Sequence, residues 1–119
     1  MLKLPKTELG DKHKAIVRSP EQEKEIAQRV GGKKTPASGA LNEKGDVRVK
    51  DVVRLEAKTT QKKSFSVTRE MVDKIENAAI ANNELPVMEV EFIDEDGKPV
   101  SSVCITPTYV VDMIGEIKR

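Results

Sequence analysis

The stretch Val52-Val53-Arg54-Leu55-Glu56-Ala57-Lys58-Thr59 reads as a β-strand with two unlike faces. Val53, Leu55 and Ala57 alternate with Arg54, Glu56 and Lys58, and alternation at period two marks a strand buried on one side. Successive strand side chains point to opposite faces, so Glu56 and Lys58 project from the same face, one pleat apart. An E-x-K pair alone says little, because exposed strand faces often carry alternating charge. Its surroundings decide.

Just upstream, Val47–Val49 forms a second strand-like run, joined to the first through the turn-like Lys50-Asp51. Gly45-Asp46 puts an acid at the mouth of that run. An odd-length hairpin loop brings Asp46 and Glu56 onto one face. Two convergent carboxylates repel unless a cation lies between them. A site of one or two carboxylates plus waters suits Mg²⁺, which keeps part of its shell for phosphate and water; Mn²⁺ is the expected substitute. Lys58 beside them can orient or activate an attacking water and offset developing negative charge. Acid, acid and lysine around one point is what phosphodiester hydrolysis needs. The alternative is a surface ion pair worth about 0–1 kcal/mol.

Further upstream, Ser19-Pro20-Glu21-Gln22 has the form of a helix start, with Ser19 as N-cap, Pro20 in the first turn and Gln22 completing a capping box. Gly31-Gly32 ends that helix. Ile26, Ala27 and Val30 define its apolar face, and Glu23 falls on the same stripe. A carboxylate there is expensive unless something inside needs it, although acids are also favoured near a helix start. Residues 31–45 read as a long loop rich in Gly, Pro, Ser and Lys. Its Gly32-Lys33-Lys34-Thr35 is no P-loop, since the upstream glycine is missing and the helix precedes it.

Downstream, Ser64–Val67 predicts a third strand, and Thr68 caps a helix to about Asn82 with Met71, Val72, Ile75, Ala78 and Ala79 facing the core. Pro86 opens a strand at Val87–Ile93, Asp96-Gly97 turns the chain, and Val100–Ile105 pairs with it. Thr106-Pro107 starts a last helix with Val110, Met113, Ile114 and Ile117 on one side. The expected fold is α/β with a mixed sheet: helix, three-stranded meander, helix and strand, then a C-terminal strand and helix.

The 119 residues suit one domain, placed at 15–119 behind a flexible basic arm, 1–14, that carries Lys3, Lys6, Lys12, His13 and Lys14. A net charge of +1 gives no general case for nucleic acid, so any such signal must be local. The lone Cys104 excludes an intramolecular disulfide and reads as a small strand residue. No apolar run approaches the roughly 20 residues of a membrane span, and the start lacks a secretory apolar region. An intracellular, cytoplasmic protein is expected.

Taken together, Glu23, Gly45-Asp46, Glu56-Ala57-Lys58 and Thr59-Thr60 resemble the pattern of the PD-(D/E)XK nucleases, and more closely that of archaeal-type Holliday junction resolvases and their phage-encoded relatives. The resemblance runs from about Lys14 to Ile93, through QEKEIAQRVGG and LEAKTTQKKSFSVTREMVDKI. It implies a restriction-endonuclease-like core in which Asp46 and Glu56 bind the metal, Lys58 positions the water, and Glu23 completes the site directly or through water. Ser38 resembles a small polar position preceding the metal-binding acid. The implied substrate is branched DNA, a four-way junction above all, cut by a homodimer whose two sites act on a two-fold target. The apolar side of the last helix, or the 87–105 hairpin, is the candidate interface. Prokaryotic or phage origin is implied as well.

Lys33, Lys34, Lys62, Lys63 and Arg69 flank the proposed site and suit phosphate contacts that position a duplex without reading bases. Aromatic residues make up 3% of the chain, with no Trp, which disfavours recognition by base stacking. Two rival readings remain: a nicking or flap-type endonuclease of the same fold, and a non-catalytic DNA-binding or docking module. Metal binding separates the last from the others.

Overall fold

The alternation centred on Leu55 folds as its pattern predicts. Strand β3 spans Val53–Thr60 and lies in the middle of a mixed five-stranded sheet of order β1-β2-β3-β4-β5. A computed structural model describes residues 8–35 and 46–117, with side chains from Lys14 and, in the second stretch, from Val47. The other elements are α1 (Glu8–Val30), β1 (Lys33–Lys34), β2 (Asp46–Val49), α2 (Arg69–Ile80), β4 (Leu85–Ile93), β5 (Pro99–Ile105) and α3 (Thr108–Ile117). β3 and β4 pair in parallel, and every other neighbouring pair is antiparallel. A parallel pair needs a crossover, which α2 supplies.

The two faces of the sheet carry separate cores. Leu55 and Ala57 of β3, with Val47 of β2, pack under Ile26 of α1. Met88 and Val90 of β4 point the other way and pack with Ile75 of α2, Phe65, Met71, Phe92 and Ile105. Glu56 lies beside Met88 and Lys58 beside Val90 in the parallel register, so both belong to the α2 face.

The chain departs from the sequence expectation in four places. First, α1 begins at Glu8 rather than Ser19 and continues through Pro20, so residues 8–14 of the expected flexible arm are helical. Ser19 does not cap; its Oγ donates to the Ala15 carbonyl at 2.8 Å. Contacts beyond the helix hold the early turns: Lys14 Nζ donates to the Glu95 carbonyl, and Arg18 clamps Glu91 of β4. Second, Lys33 and Lys34 are not loop but strand β1, paired to Arg48 and Val47. Gly32 permits that approach, because a Cβ there would meet the Arg48 carbonyl oxygen at 2.7 Å.

Third, Ser64–Val67 is not a strand. Both edges of β3 are already paired, and Phe65 instead anchors the connection in the α2-side core. The three-stranded meander is therefore β1-β2-β3, with its extra strand before the hairpin. Fourth, α2 stops at Ile80, slightly short of the expected Asn82, while Asn83 turns the chain at positive φ. Its start is as expected: the Thr68 hydroxyl accepts from the Met71 N–H at 3.2 Å. Among the described residues no helix is long and apolar enough to cross a membrane.

Candidate active site

The β2–β3 hairpin sets the site. Val49 pairs with Val53, leaving Lys50, Asp51 and Val52 as the loop, with Asp51 at φ 63° and the Val52 N–H donating to the Val49 carbonyl at 2.9 Å. From that odd-length loop the register runs back to pair Asp46 directly with Glu56. Directly opposed residues share a face, with Cβ atoms about 4.5–5.5 Å apart. Lys58 joins them: its Nζ lies 3.1 Å from Glu56 Oε1, and the two side chains are only 12% and 14% exposed. This is a sheltered ion pair, not one lying open on the surface. The fully buried Met88 and Val90 beside it displace water and strengthen charge interactions there.

Farther along the same face, Arg48 and Arg54 stand opposite each other and converge on Glu84, at the entrance to β4. Arg48 donates twice to Glu84 Oε2, at 2.9 and 2.6 Å, and Arg54 Nε donates to Oε1 at 3.1 Å. Burial pushes the Glu84 carboxyl up, but the two guanidinium groups outweigh it and hold the carboxyl below its usual range. This cluster ties β2, β3 and β4 together one pleat from the opposed acids, and so fixes the hairpin register on which their meeting depends.

Glu23 is buried on the α1 stripe, as its spacing implied, and its Oε1 lies 3.8 Å from Lys34 Nζ. Lys34 pairs with Val47, whose side chain belongs to the α1 core, so Glu23 reaches the sheet from the opposite side to Glu56 and Lys58. The structure thus gathers Asp46, Glu56 and Lys58 on one face and sets Glu23 behind them. Lys33, opposite Arg48, falls on the Glu56 face, while Lys34 is engaged with Glu23. Lys62 and Lys63 are exposed just past β3, and Arg69 is exposed at the start of α2, 3.9 Å from Asp73. Ser38 lies outside the described residues.

One residue at the site was not singled out for this role by its sequence position. Gln22 is buried, and its Nε2 donates to the carbonyls of Lys58 at 3.0 Å and Glu89 at 3.3 Å. Its Oε1 accepts from the Thr59 hydroxyl at 2.6 Å. Gln22 therefore ties the Lys58 and Glu89 carbonyls and the Thr59 hydroxyl together from behind, a positioning role hidden by its resemblance to a capping residue. The neighbouring α1 seam is closed by ion pairs: Arg18 with Glu91 and Glu25, and Arg29 with Glu89.

The donor set on the Glu56 face fits a hard divalent cation. Asp46 is the register partner of Glu56, an acid by residue type, and the Glu56 carboxylate retains some exposure. Among the described residues no group of three or more His, Cys, Asp or Glu could hold a metal ion. No family model, curated protein or solved structure matches the chain.

Proposed function

We propose that this chain is a metal-dependent, structure-selective DNA endonuclease with a restriction-endonuclease-like core, acting on four-way junctions. The observation that carries the reading is the hairpin register that pairs Asp46 with Glu56, together with the sheltered contact of Lys58 with Glu56 at 3.1 Å. In this reading Asp46 and Glu56 hold Mg²⁺. An ion held there would supply Lewis-acid chemistry, lowering the pKa of a water and polarising a phosphate oxygen.

The chain's own groups do the rest. Lys58, held near Glu56 and anchored through its carbonyl by Gln22, orients the attacking water and balances charge growing on the phosphate. Glu23 supports the strand end from the other face. In this reading Lys33, on the Glu56 face, and the exposed Lys62, Lys63 and Arg69 beyond β3 take phosphates of the flanking duplex, giving affinity that depends on backbone shape and salt rather than on sequence.

The test is cleavage of a labelled four-way junction beside linear duplex, flap and single strand, in Mg²⁺ and in EDTA. Paired, metal-dependent nicks confined to the junction are expected. Cutting of flaps or linear DNA instead would keep the nuclease and remove the junction preference. Folded protein that cuts nothing and binds no metal would leave a non-catalytic module.

A further inference from the structure

The row of residues one pleat from the opposed acids carries more positive charge than the fold uses. Lys33, Arg48 and Arg54 stand directly opposite one another on β1, β2 and β3, on the face that holds Glu56. Like charges opposed across neighbouring strands destabilise a sheet. Glu84 answers the inner two: it takes Arg48 and Arg54 on its two oxygens, and its side chain is fully buried. That carboxylate is one negative charge set against three positive ones. Lys33 is exposed and forms no ion pair among the described residues. Arg48 spends Nε and Nη2 on a single Glu84 oxygen, and 31% of its side chain remains exposed. Its Nη1 has no partner among the described residues.

The same row lies on the uncovered half of its face. α2 packs over β4 and part of β3, whereas among the described residues the helix that packs on β1 and β2 is α1, on the opposite side of the sheet. Lys33 and Arg48 therefore stand where a ligand can lie flat across the strands. Buried charge conflicts of this kind are expected at functional sites, where the missing counter-charge comes from outside the chain.

We propose that Lys33 and Arg48, backed by Arg54, form a second anion seat, which takes the phosphate next to the one being cut. The inference rests on the nuclease reading of the acid row and gives that site a direction. Residues two apart on a strand are separated by about 6.8 Å. Neighbouring phosphates of one nucleic-acid strand are spaced similarly. A strand with its reacting phosphate at Asp46 and Glu56 thus brings its next phosphate to the cation row. It then runs along β3, from the hairpin tip toward Lys62 and Lys63 past the other end of that strand. A guanidinium edge beside an ammonium suits an oxyanion with several acceptor atoms. The row ends at Pro86 of β4 and contains no aromatic side chain, so it holds backbone rather than stacked bases.

Equilibrium binding in EDTA tests the seat without any need for cutting. The probes are a synthetic four-way junction and a linear duplex, each with one uncharged methylphosphonate in place of a phosphate, moved one position at a time. Lys33→Ala should weaken binding of the unmodified junction about tenfold and lower the slope of log K against log salt by about one. Arg48→Gln should cost at least as much, with Glu84 still held by Arg54 and the fold checked by its urea midpoint. A methylphosphonate at one position, next to the scissile phosphate, should cost as much as Lys33→Ala, and the two together no more than either alone. Lys98→Ala, an exposed lysine beside the β4–β5 turn, should change neither affinity nor slope. Losses that add at every phosphate, or Lys33→Ala and Arg48→Gln proteins that bind as the wild type does, would overturn the seat even if the chain cuts junctions. A single non-additive position in protein that cuts nothing would keep the seat and remove the nuclease reading.

Discussion

The two faces of the sheet hold their buried acids in different ways. On the α1 face Glu91 meets Arg18 through two parallel contacts, at 2.6 and 2.9 Å, and Arg18 spends its remaining donors on Glu25. Glu89 is held by Arg29 at 2.6 Å and accepts from the Cys104 thiol at 3.5 Å. The α2 face is itself divided: Glu84 is held by two arginines, whereas Glu56, the register partner of Asp46, meets Lys58 and no arginine among the described residues. A guanidinium fork fills both oxygens of a carboxylate and fixes it; an ammonium is a point charge that leaves lone pairs for something else. On the proposed reading, arginine-clamped acids are the frame, and the lysine-paired Glu56 is where the chemistry would take place.

If that division is right, its largest consequence is catalytic. Lys58→Ala or Asp46→Asn should lower junction cutting by about 10²- to 10³-fold or more. Junction binding and the thermal midpoint should change little. Gel-based cleavage beside a binding assay separates these effects, and a variant that cuts at the normal rate removes its residue from the site.

The clamped acids should behave in the opposite way. Glu91→Ala leaves Arg18, which is only 12% exposed, with one of its two acids, and should cost about 3 kcal/mol of stability in urea unfolding. Cutting per folded molecule should stay near normal. A comparable loss of cutting with no loss of stability would erase the distinction between frame and site.

Glu84 sharpens the comparison through pH. Its folded carboxyl lies below its ordinary value of 4.5, so its contribution is present above that value and is lost as the pH falls through the folded one. The wild-type chain should lose stability along that acid limb. Glu84→Gln should be weaker at neutral pH and show a shallower acid limb below about pH 4.5. Parallel curves for the two proteins would mean that Glu84 does not carry this dependence.

What the sequence made legible was local. Alternation in 53–58 fixes which β3 residues share a face, and the odd hairpin then opposes Asp46 and Glu56. What it hid was tertiary. Glu89 and Glu91 alternate with Val90 and Phe92 as if they were the wet side of a strand, and only the arrival of α1 buries them. Ser19-Pro20 is a good helix start by every local rule, but Arg18 reaching Glu91, far along the chain, makes the helix continuous across it. Gln22 has the same difficulty, since its partners lie on β3 and β4. Lys33 and Lys34 look like loop because two residues carry too little pattern to mark a strand.

Glu23 gives the smallest and most discriminating effect, because it belongs to neither class. It is buried like the frame acids, yet its partner is a lysine, 3.8 Å away and half exposed. It approaches the sheet from the α1 side, so any help it gives the reacting phosphate has to pass around the end of β2 or through water. Glu23→Gln keeps the shape, removes the charge and frees Lys34. Cutting should fall by about tenfold, with a correspondingly small change in stability, since supporting groups of this kind typically contribute 10–100-fold. A loss as deep as that of Asp46→Asn would put Glu23 among the groups around the phosphate and make the site one that spans both faces. No loss at all would leave the α1 face wholly to the frame, with the chemistry confined to the hairpin on the other side.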